Sequence, residues 1–111
     1  MKDIHDNLTS DMFAELIPTT IDDLAQAVYD WAEVTFPSRT DASMYLKLYS
    51  EIAEMIRAED PRLELADLFI LLLDYAVRKD IIISEAVLEK LAINRTRKWA
   101  ISTDGTMSHV E

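Results

Sequence analysis

A single glycine, at position 105, and three prolines in 111 residues constrain this chain more than any other feature of its sequence. The corners of an all-β protein draw on glycine for positive φ and on proline for a fixed φ, and so few of either leave such a fold without its turns. The long stretches between are rich in Ala, Leu, Ile, Glu and Asp. The expected fold class is therefore all-α, a helical bundle of about four main helices. At 111 residues and 50% hydrophobic content, one domain with one modest core is the expectation.

The helices can be placed from their caps and periodicity. In "TTIDDLAQAVYDWAEVTF", Thr20 precedes Asp22 and Asp23 in a first turn, and Ile21, Leu24, Ala25, Val28, Trp31 and Ala32 recur at helical spacing. That helix ends before Pro37. After the polar connector "PSRTD", Thr40 or Asp41 caps a second helix to about Glu59, with Tyr45, Leu48, Tyr49, Ile52, Ala53 and Ile56 as its expected buried stripe. Asp60 followed by Pro61 is a restart signal, and the third helix runs to Lys79. "DIII" reads as an apolar connector, because a four-residue strand has no partner there. Ser84 then caps a fourth helix ending near Arg97. The resulting division is an N-terminal arm over residues 1–20, with a short helix near "SDMFAEL", a helical domain over 21–98, and a partly ordered tail over 99–111.

Several function classes fall away. There is no cysteine, so thiolate metal sites and cysteine nucleophiles are excluded. "MKDIHDNLTSDMF" has neither the basic start nor the apolar run of a signal peptide, and no segment approaches the roughly 20 apolar residues that span a bilayer. A soluble, cytoplasmic protein without a membrane partner is the expectation. A net charge of −10 argues against a nucleic-acid duplex as partner. Four of the eleven basic residues nevertheless gather in "KLAINRTRK", a patch that suits a small anionic ligand.

The stretch "LKLYSEIAEMIRAEDPRLELADLFILLLDYA" carries the chemistry. Glu51 and Glu54 are three apart on one helix, Glu64 and Asp67 three apart on the next, and Lys47 extends the first row by a turn. If the helices fold back antiparallel at Asp60 and Pro61, the two pairs come level. Four carboxylates between packed helices repel one another unless a cation lies among them, and oxygen-only ligation suits Mg²⁺ or Mn²⁺. The plainer alternative is a solvated acidic face, common in a chain with 21 acidic residues. Asp74 extends that face as a group behind the ligands, a subunit contact or a solvated side chain.

These residues resemble the MazG-like all-α nucleoside triphosphate pyrophosphohydrolases, whose signature is Glu-Glu-x-x-Glu, a gap, and Glu-x-x-Asp. "EKLAINRTRKW" is similar to that family's Lys-x-x-x-Asn-x-x-Arg-x-aromatic ending, and "FPSRT" to a segment of its short members. The resemblance spans about residues 22–110. It implies a bundle assembled as a homodimer or homotetramer, and Mg²⁺-dependent cleavage of a nucleoside triphosphate to the monophosphate and pyrophosphate, with Mn²⁺ able to substitute. Position by position it makes Glu51, Glu54, Glu64 and Asp67 the metal ligands, with Glu51 and Glu54 catalytic. It also makes Lys90, Asn94 and Arg97 phosphate-binding residues, and Lys47 supplies a further cation. Trp31 and Phe36 either stack on the base or pack in the core, and Arg39 either reaches a phosphate or caps its connector.

The chain departs from that pattern in three places. Ser50 stands where the first Glu is expected, Ala53 where a Gly is usual, and the gap between the motifs is nine residues, shorter than is common. A hydroxyl is a far poorer ligand than a carboxylate. The alternative function is accordingly a helical nucleotide-binding or oligomerisation module with weak or no catalysis.

Overall fold

The computed structural model describes residues 20–110. The N-terminal arm and the helix expected near "SDMFAEL" lie outside the described residues, apart from Thr20. Four helices follow, α1 Ile21–Thr35, α2 Asp41–Arg57, α3 Arg62–Arg78 and α4 Ile83–Thr96, and then two short strands, β1 Lys98–Ile101 and β2 Met107–Val110.

Local chemistry accounts for most of these boundaries. Extended Thr20 accepts the Asp23 N–H at 3.0 Å, with Asp22 and Asp23 facing the positive end of α1. Thr40 and Ser43 form a reciprocal capping box, the Thr40 hydroxyl accepting the Ser43 N–H at 3.0 Å and the Ser43 hydroxyl accepting the Thr40 N–H at 2.9 Å. The Asp60 carboxylate accepts the Arg62 N–H at 3.2 Å as α3 restarts after Pro61. At its other end α3 closes in a Schellman motif. Asp80 takes the left-handed conformation at φ 56°, its N–H bonds the Val77 carbonyl, and the Ile81 N–H reaches back to the Ala76 carbonyl at 2.8 Å.

The fourth helix differs from the sequence-based expectation. It starts at Ile83, so Ser84 lies inside the first turn and caps nothing. Its N–H donates to Asp22 Oδ1 at 3.0 Å and its hydroxyl to Asp22 Oδ2. A carboxylate on α1 thus satisfies one of the donors that a helix start leaves open, and fastens α4 to α1. No local pattern encodes a cap that comes from 62 residues away.

The third helix is central, packing against both α1 and α2, while α4 packs against α1. The buried apolar residues are Ala25, Ala32, Met44, Leu68, Leu73 and Ala76. On α2 the buried face runs through Met44 and Glu51, with Leu48 and Met55 half-buried between and beyond. The stripe expected from the sequence is displaced. Tyr45, Tyr49, Ile52 and Ile56 are exposed, and only Leu48 and Ala53 of that set are partly covered. The helix is apolar over two faces, and periodicity alone does not say which one meets α3.

Residues 98–110, expected as a partly ordered tail, form an antiparallel hairpin that pairs Trp99 with His109 and Ile101 with Met107. The lone glycine makes its corner. Gly105 has φ 86°, and Asp104 Oδ1 accepts the Thr106 N–H at 2.9 Å and the Ser102 hydroxyl. Strands of four residues are too short for their alternation to register as a pattern. The whole has a radius of gyration of 17.1 Å, against about 13 Å for a compact chain of 100 residues.

Two half-buried carboxylates that tie helices together, Asp22 to Ser84 and Asp41 to Arg78 and Lys79, should give the fold an acid limit. Asp22 lies below its ordinary value of 3.8 because the Ser84 side chain and backbone donate to it, and Asp41 because Lys79 and Arg78 donate to it. A depressed folded pKa contributes stability above the unfolded value that is lost as pH falls through the folded one. We expect Asp22→Asn to melt below the wild type at pH 7, with the gap closing as pH is lowered past 3.8. A gap of unchanged size at pH 3, followed by circular dichroism, would show that Asp22 does not fasten α4.

Candidate active site

One cavity of about 730 Å³ collects five of the residues expected at the site, Trp31, Phe36, Lys47, Glu51 and Asp67. Its wall is Trp31 near the end of α1 and Phe36, Pro37, Ser38 and Arg39 of the connector. Ser43, Met44, Lys47 and Glu51 of α2 and Asp67, Ile70, Leu71 and Asp74 of α3 complete it. The spacing within α2 and α3 explains the lining, since residues at i, i+3, i+4 and i+7 share one helix face. The cavity is apolar at the Trp31, Phe36, Met44, Ile70 and Leu71 positions and charged at Lys47, Glu51 and Asp67.

At the charged end, Lys47 Nζ lies 2.9 Å from Glu51 Oε1. That bond holds Lys47 above the ordinary lysine range, and the charges of Glu51, Glu54 and Asp67 add to the effect. Of the four flagged acids, Glu51 alone pairs directly with this ammonium. Glu51 is only 3% exposed, and its second oxygen, Oε2, is buried without a hydrogen-bond partner. A buried carboxylate oxygen left without a donor is costly, and a cation is what such an oxygen accepts.

The four acids do not close on a single point. Glu54 is exposed, Glu64 is half-buried at the start of α3, and neither lines the cavity. Among the described residues no three acidic or histidine side chains converge as a ready coordination set. Lys47 is the cation whose charge Glu51, Glu54 and Asp67 all act on. Ser50, like Glu54, is exposed and does not line the cavity.

Trp31 and Phe36 meet edge to face, ring centroids 5.4 Å apart and planes at 85°. Both are about half exposed, at 53% and 51%, and both line the cavity, which rules out simple core packing. The C-terminal basic set is placed elsewhere. Lys90, Asn94 and Arg97 are on α4 or at its end, and none lines the cavity. Asn94 Oδ1 is buried without a partner, while the Asn94 carbonyl accepts the Trp99 indole N–H at 2.9 Å.

The sequence left one pair unresolved. Arg39 Nε donates to Asp74 Oδ2 at 2.7 Å and Nη2 to Asp74 Oδ1 at 2.8 Å, a two-pronged bond with both side chains nearly buried. Asp74 pushes the guanidinium above its ordinary pKa, and Glu33, 3.0 Å from Nη2, adds to the shift. The available signal was an aspartate inside "FILLLDYA", where an apolar helix face carries a single acid.

Residues 24–110 match the family model of the dATP/dGTP pyrophosphohydrolases. A dATP/dGTP diphosphohydrolase of Cyanophage S-2L is 40% identical over 97 residues, covering 85% of this chain and 91% of the relative. Another, of Salmonella phage PMBT28, is 45% identical over 93 residues, 82% of this chain and 32% of that longer relative. Among solved structures, the Cyanophage S-2L MazG-like pyrophosphohydrolase, bound to dGDP and three catalytic Mn²⁺ ions per active site, is similar with a TM-score of 0.77. The identity is 37%, over 85% of this chain and 100% of that one.

The Lys47–Glu51 pair has a measurable consequence. Lys47→Met removes the ammonium that balances a buried carboxylate, so in chelator the variant should melt a few degrees below the wild type. Added Mn²⁺ should raise its melting temperature by more than it raises that of the wild type. Equal Mn²⁺ shifts in the two proteins would mean that Lys47 does not share the acids with a cation.

Proposed function

The chain belongs to the dATP/dGTP pyrophosphohydrolase family, and on that premise we propose that it hydrolyses purine deoxynucleoside triphosphates, dATP and dGTP, to the monophosphate and pyrophosphate. The observation that carries this reading is a single cavity with an aromatic pair at one end and Lys47, Glu51 and Asp67 at the other. A nucleotide has the same two-part character, a flat apolar base and a polyanion.

The donor set fits a divalent cation in kind. Its oxygens are all carboxylate, and the buried Oε2 of Glu51 lacks a partner. We assign Glu51, Glu54, Glu64 and Asp67 as the residues that hold Mg²⁺ or Mn²⁺. The chemistry supplied by such a cation is neutralisation of the triphosphate and activation of a water. The chain's own groups do the rest. Glu51 and Glu54 orient the attacking water and take its proton as its oxygen bonds to the α-phosphorus and the bond to the pyrophosphate oxygen breaks. Lys47 turns from Glu51 to a phosphate oxygen.

Adenine and guanine share a bicyclic ring but present opposite hydrogen-bonding groups at position 6. A site that accepts both selects purines by shape and stacking, the service Trp31 and Phe36 supply. The second reading, a binding module without catalysis, rests on Ser50 in the place of a carboxylate and would be favoured by nucleotide binding without turnover.

We further assign the protein to a homodimer or homotetramer. The described chain exposes 25 large apolar residues, including the Tyr45, Tyr49, Ile52 and Ile56 stripe of α2 and Leu65, Phe69 and Leu72 of α3. That much apolar surface is characteristic of an interface. Assembly also gives Lys90, Asn94 and Arg97 a role, since phosphate-binding residues absent from their own cavity are available to a neighbour's.

In a nucleotide panel with pyrophosphate detection, turnover should need Mg²⁺ or Mn²⁺, favour dATP and dGTP over pyrimidines, and fall at least about 100-fold in Glu54→Gln or Asp67→Asn. Absence of turnover with either metal across the panel would remove the enzymatic reading. Mixing inactive Asp67→Asn with inactive Arg97→Ala subunits should restore activity if the basic set acts across an interface. Mixtures that stay inactive while forming hybrids would place that set outside catalysis.

A further inference from the structure

We propose that Arg39 is a positioning residue, which pins the connector between α1 and α2 to α3 and so fixes the width of the slot that takes the base. This rests on the reading of the cavity as the nucleotide site. A guanidinium has five N–H donors. Arg39 turns its donors to the protein: Nε donates to Asp74 Oδ2, Nη2 to Asp74 Oδ1, and Nη1 to the carbonyls of Phe36 at 3.2 Å and Ala32 at 3.3 Å, while Glu33 Oε1 forms an ion pair with Nη2 at 3.0 Å. The guanidinium is thus directed at the protein and not at a phosphate. The Arg39 side chain is 8% exposed and that of Asp74 5%, so the pair is held out of water rather than displayed to a ligand.

The placement of its partners gives the clamp its purpose. Phe36, Pro37 and Ser38 form one wall of the cavity, and Ile70 and Leu71 form the floor. Asp74 lies four and three residues beyond Ile70 and Leu71 on α3, on the same helix face. One end of the clamp therefore grips the floor helix, and the other grips the carbonyl of Phe36. The Phe36 ring is itself half exposed and meets Trp31 edge to face, so little besides the backbone beneath it sets its position. Tyr29, whose ring centre is 5.5 Å from the Arg39 guanidinium carbon, supports the clamp from the α1 side. A lysine has a compact ammonium without the planar fork, and so cannot bridge Asp74 and two carbonyls at once.

The test is steady-state hydrolysis of dATP, dGTP and dCTP by Arg39→Lys and by the double variant Arg39→Met/Asp74→Leu. Inhibition by inorganic tripolyphosphate and thermal melts are measured beside it. The double variant replaces the buried pair by apolar groups and keeps the fold readable should the single variant fail to fold. Both should raise KM for the purine substrates about 10-fold or more, leave kcat within about 3-fold, and narrow the preference for purine over pyrimidine, because a misplaced wall loosens the base and not the phosphates. The inhibition constant of tripolyphosphate should stay as in the wild type. A rise in that constant equal to the rise in KM would make Arg39 a phosphate ligand and overturn the proposal. Lowered melting temperatures with unchanged KM and unchanged base preference would reduce the clamp to a stability element and also overturn it. A wild type without purine turnover in either metal would instead count against the functional reading itself.

Discussion

Two buried carboxylates organise this protein, Glu51 on α2 and Asp74 on α3, each only 3% exposed. Burying a carboxylate is costly unless opposite charge and hydrogen bonds meet it, so everything around these two positions is constrained to supply them. Asp74 is met in full by the fork of Arg39, which brings the α1–α2 connector down onto α3. Glu51 is met in half, by Lys47 one turn earlier on its own helix, and keeps one oxygen without a partner. The first arrangement builds a wall. The second leaves one buried acceptor oxygen unmet beside the cavity that Glu51 lines.

The contrast also divides the cavity by chemistry. Near Asp74 the donors of Arg39 are turned to the protein, so the surfaces offered to a ligand are the rings of Trp31 and Phe36 and the side chains of Met44, Ile70 and Leu71. Near Glu51 the charges are poised and incomplete, with Glu54 and Asp67 sharing the field on one ammonium.

The rest of the structure follows from how little apolar core surrounds these charges. Among the described residues six apolar side chains are buried, three of them alanine, while the second apolar face of α2 and much of α3 are exposed. The helices are joined by specific polar ties, Asp22 to Ser84 and Asp41 to Arg78 and Lys79, rather than by a deep interior. A chain built this way draws its definition from local caps and a few specific ties rather than from a deep core.

The helices, three of their starts and the kind of residue at the site were legible in the sequence, because caps, a Pro restart and i, i+3 acids are local patterns that backbone geometry reads directly. Even the hairpin had its one local sign, the Asp104–Gly105 corner. What tertiary structure decided was of another kind. The sequence could not choose which of two apolar faces of α2 turns inward, and so could not tell that Glu51 would be buried while Ser50, one residue earlier, would be exposed. Nor could it join Arg39 to Asp74 across 35 residues, or Asp22 to Ser84 across 62, since such pairs exist only once helices are set side by side. Composition and spacing fixed the elements and the chemistry they carry. Packing against α3 determined which carboxylate is held by a fork and which keeps one oxygen without a hydrogen-bond partner.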